Sequence, residues 1–198
     1  MKTDEILQIG FGRKDITPRI GVELMGYGAF LNRHSIAIRD RLYARALAAS
    51  DGMQTVVLVS CDLVGVSHQV TAQVREGVQQ ETGLEADSVC VHCTHTHSGP
   101  NGGFGIGWGD ADPPYVELLP HKIAEACIEA VANLQPASLS HAVVPCEGIG
   151  YDREEDQRPA MAEALKDEWR PSKPDTTDTV AHVLRFDSGE QVLGFMSY

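Results

Sequence analysis

The pattern of apolar and polar positions predicts a strand and then a hairpin in the first third of the chain. The segment EILQIGFGRKDITP clusters apolar residues and then turns at Thr17-Pro18, which predicts a first strand followed by a loop. In the next patterned segment, Asp51-Gly52 is a two-residue turn signal and residues 55–60 are β-branched and apolar. Before that turn, alternate apolar residues share one face: Leu42, Ala44, Ala46 and Ala48. The hairpin would deliver Asp62 to its end.

Helical and extended patterns then alternate. Valines recur at helical spacing between Ser67 and Thr82, and the pattern stops at Gly83, so we predict a helix there. The short segment SVCVHC, residues 88–93, predicts a buried strand. A second helix over 115–133 and a strand near 138–145 follow. This order is typical of an α/β fold, and we expect a layered domain with a mixed β-sheet flanked by helices and an active site at the C-terminal ends of strands.

The last quarter of the chain is different in character. Residues 151–178 are strongly charged and contain three prolines, which predicts a long surface excursion with one short helix around 160–168. The final segment TVAHVLRFDSGEQVLGFMSY predicts two strands joined by an Asp-Ser-Gly turn. No boundary between domains is evident, and we expect residues 1–198 to form a single domain.

Charge and composition narrow the classes of partner. The sequence has 16 Lys plus Arg against 28 Asp plus Glu, a formal net charge of -12 that repels phosphate backbones, so we expect no nucleic-acid partner. No stretch approaches the roughly 18 consecutive apolar residues of a membrane-spanning helix, so we expect no integral membrane segment. The five cysteines are an odd number, and the N-terminus lacks the apolar core of a secretion signal. We therefore expect a reduced, cytoplasmic protein of undetermined oligomeric state.

The segment THTHSGP, residues 94–100, is the strongest candidate for chemistry. If the chain is extended there, His95 and His97 project to the same face, with Cβ atoms about 7 Å apart. Paired histidines at a strand end are a common beginning of a zinc site, because one ring nitrogen binds metal while the other is oriented by a partner. An ordinary polar strand end has the same pattern, and the spacing alone leaves both interpretations open.

The other cysteine, glycine and histidine patterns give weaker indications of a functional site. Cys90 and Cys93 have metal-like spacing, but period-two alternation puts them on opposite faces of the strand and no second cysteine pair follows, so we interpret them as core packing. The glycine-rich loop at 102–109 lacks the last glycine of a dinucleotide fingerprint. The remaining histidines are isolated, and we interpret them as solvated or hydrogen-bonded side chains.

Six short segments, taken in order, carry a resemblance to a known family: DITP, MGYG, RLYARALAASDG, VVLVSCDLVGV, THTHSGPNGG and GIGYDR. In sequence and spacing the chain resembles the N-terminal catalytic domain of the neutral/alkaline (non-lysosomal) ceramidase family over essentially its full length. The resemblance implies a zinc-dependent amidase acting on an N-acyl substrate in sphingolipid metabolism. It also implies that His95 ligates Zn2+ and that His97 faces the substrate.

The resemblance extends to further residues, with departures. Arg153 in GYDR matches an arginine that helps hold the substrate oxygen, although Asp152 stands where the family has Asn. Asp62 matches a family Asp that could orient a metal-binding histidine, and a strand-end cap is the alternative. The loop Ser98, Gly99, Asn101, Gly102 and Gly103 would border the substrate, and Asn101 is a second departure from the family pattern.

The resemblance implies that the other zinc ligands and the catalytic serine lie beyond Tyr198. We therefore expect this chain to be an N-terminal portion of a ceramidase-like zinc hydrolase, with a lipid or small-molecule N-acyl amide as substrate. Two alternatives stay open: a non-catalytic domain that keeps the fold and binds without turnover, and a metal hydrolase of a small soluble amide or ester.

Overall fold

The computed structural model describes residues 7–198 and divides them into two compact units. The first unit runs to Ala137 and the second is Ser138–Tyr198. The first unit contains five strands and two helices in the order β1 (Gln8–Asp15), β2 (Tyr43–Ser50), β3 (Thr55–Cys61), α1 (His68–Thr82), β4 (Val89–Cys93), α2 (Pro113–Ala132) and β5 (Gln135–Pro136).

One mixed sheet organises the first unit, with strand order β4-β3-β2-β1-β5. Its pairs are antiparallel except for β3 and β4, which are parallel because α1 carries the chain back across the sheet between them. Alternate residues of β2 and β3 face a core that the two helices cover, among them Ala46, Val57 and Cys61. The predicted α/β fold with a mixed sheet and flanking helices is confirmed.

The β2–β3 hairpin differs from the predicted two-residue turn. Ser50 pairs with Thr55, so four residues connect the strands. The Asp51 carboxylate accepts hydrogen bonds from the backbone N–H groups of Met53 (2.8 Å) and Gln54 (2.7 Å). Hydrogen bonding of this kind by an aspartate stabilises a longer turn, and it replaces the two-residue geometry that Asp-Gly suggests.

Both helices follow from local signals in the sequence. The Ser67 hydroxyl accepts from Val70 N–H and caps α1, which ends at Gly83 in the left-handed conformation, as predicted. The second helix begins at Pro113, two residues before the predicted start. It packs directly on β1 because Gly10 and Gly12 have no side chain: a Cβ on Gly12 would lie 2.7 Å from the backbone nitrogen of Ala130.

The second unit is a three-stranded antiparallel sheet in the order β6-β7-β8 (Ser138–Pro145, Val180–Ser188 and Gln191–Ser197). The charged excursion lies between β6 and β7, and its only α-helical turn among the described residues is α3 (Met161–Ala164). In the described part of the chain, no helix is long and apolar enough to cross a membrane.

Candidate functional site

The histidine segment begins where two parallel strands end side by side. Cys61 of β3 and Cys93 of β4 are register partners at their carboxyl ends. Beyond them, Thr94 N–H donates to the Cys61 carbonyl (3.0 Å) and His95 N–H donates to the Leu63 carbonyl (2.9 Å). These bonds fix residues 94 and 95 against the segment that follows β3.

His95 is oriented by a backbone carbonyl. Its Nδ1 lies 3.0 Å from the carbonyl oxygen of Val64, which can only accept a hydrogen bond, so Nδ1 carries the proton. The lone pair of Nε2 is therefore available, and the side chain is exposed. A histidine held in this way has the orientation and tautomer of a metal ligand.

His97 has the opposite tautomer. Its Nδ1 lies 3.2 Å from the backbone nitrogen of Tyr27, an N–H donor, so Nδ1 accepts and Nε2 carries the proton in the neutral ring. The centroids of the His95 and His97 rings are 5.0 Å apart, with an angle of 60° between the ring planes. The site therefore presents one imidazole lone pair beside one imidazole N–H donor.

The two rings become neighbours by a different backbone path from the extended one we expected. The strand ends at Cys93, His95 has a φ of 61°, and His97 lies in a turn. Such a φ is unfavourable for a residue with a Cβ, and it persists only where surrounding contacts compensate. Those contacts are the two backbone and side-chain hydrogen bonds that His95 makes to residues 63 and 64.

A second loop, residues 25–33, holds His97. The backbone N–H of Met25 donates to the Gly99 carbonyl (3.0 Å), and Gly26 lies against the His97 ring. The Tyr27 ring meets the His97 ring edge to face, with centroids 5.0 Å apart. Sequence reasoning used this loop only for the resemblance and missed its role, although its MGYG motif was the available signal.

Arg33 connects this loop to the histidine segment. Its guanidinium donates to the His97 carbonyl (2.9 Å) and stacks over the Tyr27 ring at 4.6 Å. The Nε atom of Arg33 is buried without a hydrogen-bond partner. An arginine in this position fixes the backbone of His97 as well as its aromatic neighbour, and the sequence did not single it out.

The Asp62 carboxylate contacts other groups than the histidines. It accepts from the backbone N–H of Tyr43 (2.9 Å) and from the guanidinium of Arg45 (2.6 Å). These bonds fix the start of β2 beside the end of β3. The orienting acceptor of His95 in this structure is the Val64 carbonyl, and the described bonds of Asp62 lie at the ends of β2 and β3.

Asn101 organises the loop that follows the histidines. It is only 2% exposed, its amide nitrogen donates to the Gly109 carbonyl (2.6 Å), and its oxygen accepts from Gly103 N–H (2.8 Å) and Phe104 N–H (2.9 Å). With all these bonds made inside the loop, the Asn101 side chain shapes the loop from within. The sequence placed Asn101 in the loop but did not show this role.

The other loop residues divide into exposed and packed positions. Ser98 is exposed, and its N–H lies 3.3 Å from the Thr96 hydroxyl. Gly99 and Gly102 are buried, and a Cβ on Gly102 would collide with the Gly65 carbonyl oxygen. Gly103 has a φ of 91°, which favours glycine. Only Ser98 of this group offers a polar side chain to solvent.

A cavity of about 420 Å³ adjoins the histidine segment. Thr96 and Ser98, which alternate with the histidines, form part of its wall together with Pro100. The rest of the wall comes from the loop between β1 and β2, and much of it is apolar, including Ile36 and Ile38. The histidine segment thus borders an apolar cavity through residues that lie next to the two histidines in the sequence.

A thiol pair lies directly beneath the histidine segment. The hydrogen bond between the Cys61 and Cys93 thiols and burial both raise the pKa of Cys61, and the same hydrogen bond lowers the pKa of Cys93. Burial raises the pKa of Cys127, on the neighbouring helix, to about 12. Cys93 packs against the core as expected, but Cys90 is exposed because it lies on the opposite face of β4.

Arg153 lies in the second unit, in a turn that follows β6, and its side chain is exposed. Asp152 stabilises that turn by accepting from Glu154 N–H (2.9 Å). Both a carboxylate oxygen and an amide oxygen can accept such a bond, so Asp152 can support this turn in place of the Asn that the resemblance implies.

The described residues alone do not complete a metal site. Within residues 7–198, no group of three or more His, Cys, Asp or Glu side chains could hold a metal ion. His95 nevertheless fits the role of a single zinc ligand, because its free Nε2 and its carbonyl-bound Nδ1 are what such a ligand needs.

Comparison with known proteins gives one consistent result. The family model for the N-terminal part of neutral/alkaline non-lysosomal ceramidase matches residues 7–198. Neutral ceramidase 3 of Arabidopsis thaliana is 34% identical over 147 residues, which is 69% of this chain and 20% of that protein. Neutral ceramidase A of Dictyostelium discoideum is 29% identical over 184 residues, 84% of this chain and 26% of that protein.

The fold is also found in solved structures. The neutral ceramidase of Pseudomonas aeruginosa superposes with a TM-score of 0.80 at 24% identity over 98% of this chain and 31% of that one. A structure described as ceramidase complexed with C2 gives a TM-score of 0.79. The present chain spans about a fifth to a third of the length of these proteins. It belongs to the neutral/alkaline non-lysosomal ceramidase family and corresponds to its N-terminal part.

Proposed function

We propose that this chain supplies one zinc ligand and one oxyanion donor to the active site of a zinc-dependent amidase that hydrolyses an N-acyl amide such as ceramide. His95 is the ligand and His97 is the donor. The remaining zinc ligands would come from outside the described residues, in agreement with the small share of its relatives that the chain covers.

The observation that carries the proposal is the pair of hydrogen-bond partners that give the two rings opposite tautomers. A polar strand end has no requirement for one imidazole with a free Nε2 and a neighbour, 5.0 Å away, with a protonated Nε2. Amide hydrolysis at a metal needs both groups, because the metal requires a lone pair and the carbonyl oxygen requires a hydrogen-bond donor as it gains negative charge.

Zinc bound at His95 would supply Lewis acidity toward the substrate carbonyl. The Val64 carbonyl keeps the proton of His95 on Nδ1 and so keeps Nε2 free. The backbone N–H of Tyr27 keeps the proton of His97 on Nε2, where it donates to the oxygen of the amide. Arg33 fixes the backbone of His97, which limits movement of that donor during the reaction.

Arg153 is proposed as a second group that holds the substrate oxygen. Its support is the match of GYDR to the family motif and the exposed guanidinium.

Substitution of the two histidines in the full-length protein tests the proposal. His95→Ala should remove zinc and hydrolysis of ceramide together. His97→Ala should leave zinc bound and lower kcat/KM about 100- to 1,000-fold, the usual cost of one oxyanion donor. His92→Ala is the matched control, because His92 is an exposed histidine of β4, just before the histidine segment, and should change neither quantity.

Zinc content by metal analysis and the hydrolysis rate, measured on the three variants, give distinct outcomes. A His95→Ala protein with full zinc content would contradict the metal assignment. Unchanged zinc content and activity in both variants would favour the non-catalytic binding domain. Hydrolysis of short-chain soluble amides in preference to ceramide would favour the alternative of a hydrolase for small substrates.

A further inference from the structure

Two cysteines that the proposed chemistry does not use lie side by side in the core. Cys61 ends β3 and Cys93 ends β4, and the two are direct register partners on neighbouring parallel strands. Both side chains contact the same core cluster, so they project from the same face of the sheet. The third cysteine of that core, Cys127, is fully buried on α2.

The spacing of this pair suits a disulfide. Neighbouring strands are about 4.8 Å apart, which falls within the roughly 4.4–6.8 Å between Cα atoms that disulfides span. By contrast, Cys90 faces away from Cys61, on the exposed side of β4.

We propose that Cys61 and Cys93 form an oxidative modification site, in which a peroxide converts the two thiols to a disulfide. In the first step, the Cys93 thiol takes one oxygen atom from hydrogen peroxide to give a sulfenic acid, and one water is released. In the second step, the Cys61 thiol attacks that sulfur, the S–S bond forms and a second water leaves. Overall, two thiols are oxidised and one peroxide is reduced to two waters.

Exposure sets the order of these steps. Cys61 is fully buried at 0% exposure, whereas Cys93 is partly accessible at the end of the edge strand β4. The oxidant therefore reaches Cys93 first, and Cys61 acts as the resolving thiol. A sulfenic acid with a thiol already beside it condenses in preference to further oxidation.

The disulfide would tie together the two segments that hold His95. Thr94 N–H bonds to the Cys61 carbonyl, and His95 N–H bonds to the carbonyl of Leu63. A covalent link between residues 61 and 93 restricts separation of these segments. Hydrogen exchange at the amides of Thr94 and His95 should therefore slow in the oxidised protein.

Peroxide treatment of the full-length protein tests the proposal. After treatment with hydrogen peroxide, remaining thiols are alkylated, the protein is digested without reduction, and the peptides are analysed by fragmentation mass spectrometry. We expect a peptide pair joined through Cys61 and Cys93, two hydrogens lighter than the sum of its parts, which a reductant separates. The amides of Thr94 and His95 should exchange several-fold more slowly before reduction than after it.

Three variants make the test specific. Cys90→Ser removes a cysteine from the same strand but from the opposite face, so the cross-link should persist. Cys93→Ser should abolish it. Cys61→Ala should divert Cys93 to the sulfinic acid, because no resolving thiol is present.

Several outcomes would overturn the proposal. They are a cross-link from Cys61 to Cys127, a cross-link lost in Cys90→Ser, and sulfinic acid on Cys93 in the unsubstituted protein while Cys61 stays reduced. Unchanged exchange at residues 94 and 95 on oxidation would overturn the proposed restriction of the segments around His95. None of these results depends on zinc content or on amidase activity, so the proposed function and this inference can fail separately.

Discussion

Replacement of Gly26 by alanine should displace the His97 ring and leave His95 in place. Gly26 is buried and has a φ of 102°, and a Cβ built on it would lie 2.6 Å from Nδ1 of His97 and closer still to the ring carbon Cγ. Ordinary contacts of a Cβ begin near 3.4 Å, so the ring must move by about 1 Å. That movement breaks the hydrogen bond from Tyr27 N–H that fixes the tautomer of His97.

The chain offers a matched control at Gly21. Its φ is 97°, nearly that of Gly26, but a Cβ there meets nothing within 4 Å. Alanine at either position costs about 1–2 kcal/mol of stability, because the left-handed conformation is unfavourable for a residue with a Cβ. Gly26→Ala adds overpacking of about 1–3 kcal/mol. The difference between the two variants isolates the displacement of His97.

We expect Gly26→Ala to lower kcat/KM for N-acyl amide hydrolysis about 100-fold relative to Gly21→Ala, the usual effect of a displacement of about 1 Å in a catalytic group. Zinc content should be equal in the two variants because His95 keeps its contacts. Steady-state kinetics, metal analysis and thermal unfolding on both proteins measure these quantities. Equal activity of two folded variants would refute the role that the structure assigns to the Gly26–His97 contact.

Three further predictions concern stability and metal binding. Asn101→Ala should lower the free energy of unfolding in urea by roughly 1–3 kcal/mol or more, because it leaves buried backbone groups unpaired; no change would contradict its role inside the loop. Hydrogen bonds from Thr17, together with Arg41, lower the pKa of Asp15 in the folded protein. The ionised Asp15 therefore contributes fully to the free energy of unfolding above the unfolded pKa of about 3.9, and this contribution disappears as the pH falls through the lower folded pKa. Asp15→Asn should therefore flatten the acid side of the stability curve measured from pH 7 to 3, by less than about 1 kcal/mol because the ion pair is partly exposed. The isolated segment 1–198 should bind zinc weakly in dialysis and metal analysis, since one imidazole cannot complete a four-coordinate shell; tight stoichiometric zinc would overturn this.

Sequence patterns predicted the elements best where local signals agree. Helix α1 has a serine cap, a repeat of valines at every fourth position and a terminal glycine, and its predicted and observed bounds nearly coincide. The predicted two-residue turn between β2 and β3 was wrong, because the Asp51 carboxylate accepts hydrogen bonds across a longer turn than the Asp-Gly dipeptide suggests. Whether β6 joins the first sheet depends on pairing between distant strands, which no local pattern encodes, and the structure places it in a separate sheet.

The candidate site was predictable in composition but not in geometry. The motif identified His95 and His97 as a pair, whereas the φ of His95 and the two tautomers depend on partners far away in the sequence. For the same reason, the sequence did not predict that the Cys61 and Cys93 thiols are neighbours. The sequence analysis considered Cys90 and Cys93 as a pair because they lie close together along the chain. The spatial neighbour of Cys93 is Cys61, 32 residues earlier and on the adjoining strand.

The residues that hold the two histidine rings lie at different distances along the chain and in different kinds of structure. The ring of His95 is held by a residue 31 positions away, in the segment that leads from β3 into α1, whereas that of His97 is held by a residue 70 positions away in a surface loop. Surface loops with few buried contacts open at lower free energy than the strands and helices of a core. Brief detachment of the 25–33 loop would therefore free His97 while His95 stays in place. Amide exchange should show Tyr27 opening independently of the β3–α1–β4 segment, so that the support of His95 outlasts the support of His97.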